Sequence, residues 1–123
     1  MIFDQTPEFS KELKKFIKKW RNLPANLEIL PQVIDTLYVG ANGLSPEHIR
    51  ETFFATKKGA VLKTIDNSTE VVKVRLDSTD LNKDMLRVVF IRRGQQIKLI
   101  GLYPKNDKAR EDNPRIQKYL TTD

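Results

Sequence analysis

Hydrophobic residues near the start of the chain recur at helical spacing. Five of them fall on one stripe at i, i+4, i+7, i+8 and i+11, and most of the lysines between them lie off that stripe. The stripe consists of Phe9, Leu13, Phe16, Ile17 and Trp20. Thr6 supplies a capping hydroxyl, and Pro7 suits the first helical position. We therefore expect an amphipathic helix that begins at Pro7 and is stopped by Leu23 and Pro24.

The next stretch predicts a second helix and a short third one. Apolar residues between Leu27 and Tyr38 keep the helical period, but Pro31 lies among them, so the helix either kinks at that proline or starts there. The short link between the first two helices favours an antiparallel helical hairpin. Ser45 and Pro46 form another capped start, from which we expect a short helix.

From residue 60 onward the pattern is typical of strands. Residues 60–65, 71–76, 85–91 and 96–103 are apolar or β-branched runs, separated by turn residues or by a polar connection. Short connections between successive strands predict an antiparallel meander. The first five residues can form a further short strand, and residues 109–120 predict a terminal helix that Pro114 interrupts or delays.

The fold class predicted by these elements is α+β. We expect an N-terminal helical hairpin to cover one face of a twisted antiparallel sheet of about four strands, with a C-terminal helix after it. A chain of 123 residues suits one domain, 1–123. No apolar run approaches the roughly 20 residues of a membrane-spanning helix, and acids and lysines stand where a secretory signal is apolar. We therefore expect a cytoplasmic protein with no membrane partner.

Composition and charge narrow the chemistry. With no cysteine and a single histidine, the chain has no disulfides, no thiolate metal site and little of the usual His-paired catalytic machinery. The formal net charge is +6, and residues 84–120 hold nine Lys/Arg against four Asp/Glu. A basic half of a small domain favours a polyanionic partner, nucleic acid most commonly, although charge alone is equally compatible with a solvated surface.

Alternation along the strands sorts the basic residues by face. Lys73 and Arg75 share one face of their strand, and we expect them to converge with Arg87 of the next strand, with Tyr103, Lys105 and Lys108 at the rim. In the last strand, alternation predicts that Lys98 faces away from Tyr103. Such a cluster of cations binds phosphates and stabilises a phosphodiester under attack. The alternative is an ordinary solvent face of a half-covered sheet.

The remaining polar residues favour structural interpretations. His48 suits a surface or capping position beside a proline. Glu111, with Asp107 and Asp112, suits the N-terminal charge of the last helix. Asp77, Asp80 and Asp84 lack the glycine and terminal glutamate of a calcium loop, so we expect no metal site and no cofactor.

Three segments taken together resemble the RelE/ParE superfamily of bacterial toxin–antitoxin toxins. They are VVKVRLDS, LRVVFI and IKLIGLYPKNDKAREDNPRIQKYL, preceded by the helix FSKELKKFIKKW. The resemblance covers residues 1–40 loosely and 70–120 more closely, whereas residues 41–66 have the character of an insertion. It implies the RelE-like microbial RNase fold and a metal-independent mRNA endoribonuclease (mRNA interferase) that acts in the ribosomal A site by 2′-hydroxyl attack on the scissile phosphate.

The resemblance also implies roles for particular residues. Lys73 and Arg75 stabilise the attacked phosphorane or assist proton transfer, Arg87 orients the phosphate, and Tyr103 or Lys108 aids the leaving group. We expect further RNA contacts from basic residues around this face and on the first helix, namely Lys98, Lys105, Arg110, Lys15 and Lys19. Where RelE has an arginine and a helix tyrosine, this chain has Asn106 and Asp112.

The expected partners are a cognate antitoxin protein, the ribosome and mRNA, without a small-molecule cofactor. Two alternatives stay open at this point. One is a non-catalytic ParE-like inhibitor of DNA gyrase, and the other is an inactive toxin fold that survives as a binding module.

Overall fold

The computed structural model describes residues 1–80, 85–105 and 111–121. The described helices are α1 (Pro7–Lys19), α2 (Leu23–Leu27), α3 (Leu30–Val39), α4 (Pro46–Ala55) and α5 (Asn113–Thr121). The described strands are β1 (Ile2–Gln5), β2 (Gly59–Thr64), β3 (Thr69–Leu76), β4 (Leu86–Arg93) and β5 (Gln96–Pro104).

The predicted α+β class is confirmed, but the sheet differs in detail. Its order is β1-β5-β4-β3-β2, so it has five strands rather than four. The predicted meander from β2 to β5 is antiparallel, whereas β1 pairs with β5 in parallel, which makes the sheet mixed. Parallel pairing is possible here because four of the described helices and three of the described strands separate β1 from β5 along the chain, which leaves ample length for the crossover.

Prolines set where the helices begin. Pro31 lies in the first turn of α3, so the helix starts there rather than kinking, and α2 precedes it as a short separate helix. The Ser45 hydroxyl caps α4 by accepting a hydrogen bond from the His48 amide at 3.2 Å, as predicted. α5 starts only at Asn113, because Pro114 is tolerated in a first turn but not inside a helix.

Two hydrophobic clusters cover the two faces of the sheet. On one face, Phe9 and Phe16 of α1 pack with α3 against Val72, Val88 and other strand residues. On the opposite face, Ile116 of α5 packs against Val71, Val89, Ile91, Ile100 and Tyr103. The N-terminal helices thus cover one face, as expected, and α5, for which the sequence predicted no position, lies over the second face.

A bulge in β5 changes which side chains share a face. Val89 pairs with Gly101 but Phe90 pairs with Leu99, so Ile100 is an extra residue in the strand. The extra residue reverses the alternation across it. Lys98, opposite Ile91, and Tyr103, opposite Arg87, consequently lie on the same face of the sheet, which corrects the prediction that they face apart.

Candidate functional site

A row of three polar side chains crosses three strands at one end of the sheet. Arg75 of β3 pairs directly with Arg87 of β4, and Arg87 pairs directly with Tyr103 of β5. Directly opposite side chains lie about 4.5–5.5 Å apart at Cβ and share a face. Lys73 is the next residue of β3 on that face, opposite Val89. The structure thus brings together four of the five residues predicted to be catalytic.

Hydrogen bonds or burial restrain each of these three cationic side chains. The Lys73 ammonium donates a hydrogen bond to the Glu111 carboxylate at 3.3 Å. The Arg75 guanidinium donates to the Lys57 carbonyl at 3.0 Å. Arg87 is buried, with 8% of its surface exposed. The row is therefore a preorganised basic cluster rather than a set of mobile surface charges.

Sequence reasoning missed Glu111. Its position suggested only a charge near a helix N-terminus, yet its carboxylate lies against Lys73 from a residue 38 positions away in the chain. Glu111 also acts electrostatically on Tyr103. Nothing in the local pattern indicates this contact, because it depends on how α5 docks against the sheet.

Tyr103 is held in its protonated form. Burial of the side chain and, less strongly, the Glu111 carboxylate raise the pKa of its hydroxyl to about 12, against the opposing effects of Arg87 and Arg75. At neutral pH the group is a phenol, able to donate a proton but not to accept one as a base. This chemistry matches the leaving-group role predicted for it.

α5 covers the second face through contacts with α1 and the sheet. Arg115 donates to the Glu12 carboxylate at 2.8 Å, and Lys118 donates to the Glu8 carboxylate at 3.1 Å. At the C-terminal end of α5, Arg93 of β4 donates hydrogen bonds to the carbonyls of Tyr119 and Leu120, at 2.8 and 3.1 Å. A cation at these terminal carbonyls is favoured by the helix dipole. Only about 10 Å³ of space remains between Ile116 and the sheet near Tyr103.

The residues predicted only as RNA contacts are dispersed. Lys98 lies near the C-terminal end of α5, where its ammonium is 5.8 Å from the Tyr119 ring. Lys105 is exposed just beyond β5. Lys15 and Lys19 are exposed on α1, whose buried side packs against the opposite face of the sheet. These four do not join the row, while Lys108 and Arg110 lie outside the described residues.

A second ionic cluster fixes α4 to the sheet. Arg50 of α4 donates two hydrogen bonds to the Glu70 carboxylate of β3, at 2.8 and 2.9 Å, and Tyr38 of α3 donates a third at 2.5 Å. Burial alone would raise the pKa of Glu70, but the bonds from Arg50 and Tyr38 outweigh it and lower that pKa. The residues that the sequence marked as an insertion are thus tied firmly into the fold.

Comparisons with protein-family models, curated proteins and solved structures give no match for this chain. The resemblance to the RelE/ParE superfamily therefore rests on the sequence segments quoted above. None of the described helices is both long and apolar enough to cross a membrane. Within residues 1–80, 85–105 and 111–121, no three His, Cys, Asp or Glu side chains group in a way that could hold a metal ion.

Proposed function

We propose that this protein is the toxin of a type II toxin–antitoxin system and cleaves mRNA on the ribosome without a metal ion. The observation that carries the proposal is the row of Arg75, Arg87 and Tyr103 with Lys73 beside it. Two guanidinium groups and an ammonium on one small area match the phosphate of an RNA strand in charge and in hydrogen-bonding geometry.

The reaction we propose needs only groups of this kind. The 2′-oxygen of a ribose attacks the adjacent phosphorus while the bond from phosphorus to the 5′-oxygen breaks, leaving a 2′,3′-cyclic phosphate and a 5′-hydroxyl. Negative charge builds up on the non-bridging oxygens in the transition state. Arg87 orients those oxygens, and Lys73 and Arg75 stabilise the added charge, an effect that is largest in a partly buried site.

Tyr103 supplies the proton that the departing 5′-oxygen requires. Its raised pKa keeps the proton on the phenol until the leaving group becomes strongly basic. Lys108 is the other residue that we propose for this step, and it lies outside the described residues. The proton of the attacking 2′-hydroxyl passes to water or to a neighbouring base on the ribosome.

Glu111 supports the idea that the cluster accepts anions. Its carboxylate forms an ion pair with the Lys73 ammonium. We place a phosphate oxygen of the substrate at the same position. RNA binding then exchanges one anion for another at Lys73.

The partners follow from charge and from the resemblance. A net charge of +6 favours rapid encounter with RNA and the ribosome, to which exposed Lys15 and Lys19 contribute. An antitoxin that neutralises the protein is expected to present acidic residues to this surface, since complementary charge increases both association rate and specificity.

The test is expression in a bacterial cell with primer extension on the cellular mRNA. The proposal predicts growth arrest and cuts spaced by codons, both relieved by Arg87→Ala and by the less buried Arg75→Gln. Arg21→Gln, which removes the same charge at an exposed position between α1 and α2, is the matched control and stays toxic. DNA damage without mRNA cuts would instead indicate a gyrase inhibitor, and harmless expression of folded protein would indicate a binding module. Either result overturns the proposal.

A further inference from the structure

A notch opens at the edge of the sheet beside Arg75. Its volume is about 380 Å³, within the range of small-molecule sites. Apolar side chains from three helices line it, namely Ala25 of α2, Val33 of α3, Phe53 of α4, and Ile29 just before α3. Ile29 is 52% exposed, so a large apolar side chain faces an open space.

The aromatic wall of the notch is built in advance. Gly59 starts β2 directly against Phe53, and a Cβ atom at that position would lie 2.6 Å from the Phe53 ring and 2.8 Å from the Lys73 carbonyl. The ring therefore packs closer to the strand than any other residue at position 59 would allow. Phe54 holds it from the other side in an edge contact, with 5.4 Å between ring centroids.

The opposite wall is fixed by a reciprocal pair of hydrogen bonds. The Asn26 amide donates to the Thr79 hydroxyl at 2.9 Å, and the Thr79 backbone N–H donates to the Asn26 side-chain oxygen at 3.1 Å. This pair ties α2 to the chain that leaves β3. Both walls are therefore held without a ligand, which lowers the entropic cost of filling the space between them.

Arg75 stands at the sheet edge between the notch, which lies on the face covered by α2, α3 and α4, and the proposed reaction site, which lies on the face covered by α5. Lys58 and Arg75 line the notch together with one carboxylate, Asp77, and Arg75 is also the first member of the cross-strand row with Arg87. A basic group thus stands between an apolar slot and a phosphate-binding cluster. Single-stranded RNA presents the complementary order, because each phosphate is joined through a ribose to a flat, largely apolar base.

We propose that the notch binds a nucleobase of the RNA strand whose phosphate lies at the row of Arg75, Arg87 and Tyr103. The proposal rests on the function proposed above and deepens it, because it assigns a place for the base next to the reacting phosphate. The base lies against Phe53, Ile29 and Val33, and its ribose-phosphate passes Arg75. An apolar side chain of a partner protein is the competing occupant, and charge favours the nucleotide.

The test measures binding of short single-stranded RNA with 2′-O-methyl groups, which cannot be cleaved by 2′-hydroxyl attack. Ala25→Trp fills the notch from an exposed helical position, and Gln32→Trp adds the same ring at an exposed position of α3 outside it. Fluorescence anisotropy then compares each variant with the unaltered protein, on the intact oligonucleotide and on one that carries a single abasic site. Ile29→Glu, with Gln32→Glu as its control, serves as a second variant, because Ile29 is exposed and tolerates the change without loss of the core.

The inference predicts that Ala25→Trp and Ile29→Glu weaken binding about tenfold, the order expected for one stacked base. The unaltered protein binds the abasic oligonucleotide about tenfold more weakly than the intact oligonucleotide. The Ala25→Trp variant binds the two oligonucleotides with equal affinity, because its notch is already filled. Folded variants that bind RNA as tightly as the unaltered protein would overturn the notch assignment alone. Variants that keep their affinity for RNA but no longer bind a partner protein would also overturn the notch assignment. An unaltered protein that neither binds nor cleaves RNA would overturn both proposals.

Discussion

Arg75 and Arg87 are direct cross-strand partners in the antiparallel ladder of β3 and β4. Like charges directly opposite each other on a sheet destabilise it. The fold nevertheless places these two cations side by side at the end of the sheet where Tyr103 completes the row, with the Arg75 guanidinium also bonded to the Lys57 carbonyl. Arginines placed together in this way suit the binding of an anion such as phosphate.

Replacement of Arg75 is expected to reduce RNA binding and cleavage much more than it reduces the stability of the fold. Arg75→Thr removes a repulsion of about 0.2–1 kcal/mol and also one hydrogen bond of about 0.5–1.5 kcal/mol. We expect the free energy of unfolding to change by less than about 1 kcal/mol, because the two effects oppose each other. RNA binding and cleavage are expected to fall sharply. Urea denaturation and RNA binding on the same preparation check both, and a strongly destabilised variant with full activity would show that Arg75 is structural.

Arg93, at the other end of β4 from Arg87, provides the opposite case. Its guanidinium donates to two carbonyls at the C-terminal end of α5 and takes no part in the proposed reaction. Arg93→Thr is expected to lower stability by roughly 1–3 kcal/mol, through loss of charge-assisted hydrogen bonds, and to loosen α5. Hydrogen exchange of the α5 amides measures this. Unchanged protection of those amides would mean that the contact does not hold the helix.

Glu111→Gln tests the exchange of anions at Lys73. Removing the carboxylate charge leaves the Lys73 ammonium to attract phosphate, so we expect tighter RNA binding. Glu51→Gln changes the net charge equally at an exposed site and is the control. If both variants gain the same affinity, the effect comes from net charge alone and Glu111 does not compete with the substrate.

The attachment of α5 to α1 is expected to depend on acid pH. The hydrogen bond from Tyr119 is the largest cause that lowers the pKa of Glu8 to about 2; burial opposes it, and the Glu8 backbone N–H and then Lys118 add smaller lowering effects. A carboxylate with a lowered pKa in the folded state stabilises the protein above its ordinary pKa, and this contribution is lost as the pH falls through the folded-state value. The melting temperature of the unaltered protein should therefore exceed that of Glu8→Gln at neutral pH, and the difference should shrink from pH 4.5 towards 2. A difference that does not vary with pH would contradict this.

Local sequence patterns were sufficient to predict most of the helices and strands. They also predicted the part of the candidate site that lies on β3 and β4. The prolines at 31 and 114 predicted either a break or a start of a helix, and in the structure both mark starts. Regular alternation in β3 and β4 correctly placed Lys73, Arg75 and Arg87 on one face. Alternation failed in β5, because a bulge at Ile100 is not visible in the apolar pattern of that strand. The parallel pairing of β1 and the cover by α5 depend on contacts between distant parts of the chain, which short-range periodicity does not encode.

Glu111 shows why the site could not be completed from sequence. The residue belongs to a segment whose local signals concern only the start of a helix, and its contact with Lys73 exists because Arg115, Lys118 and Tyr119 tie α5 to α1. The notch beside Arg75 was likewise not predicted, since its walls come from α2, α3 and α4 together.

The chemistry of the RNA ends tests the central claim most directly. Purified protein is mixed with translating ribosomes, and the termini of the cut mRNA are mapped by ligation reactions that distinguish them. We expect 2′,3′-cyclic phosphate and 5′-hydroxyl ends, the products of 2′-hydroxyl attack, and we expect them to disappear with Arg87→Ala. Intact mRNA with the unaltered protein, or the same cuts with folded Arg87→Ala, would contradict this claim.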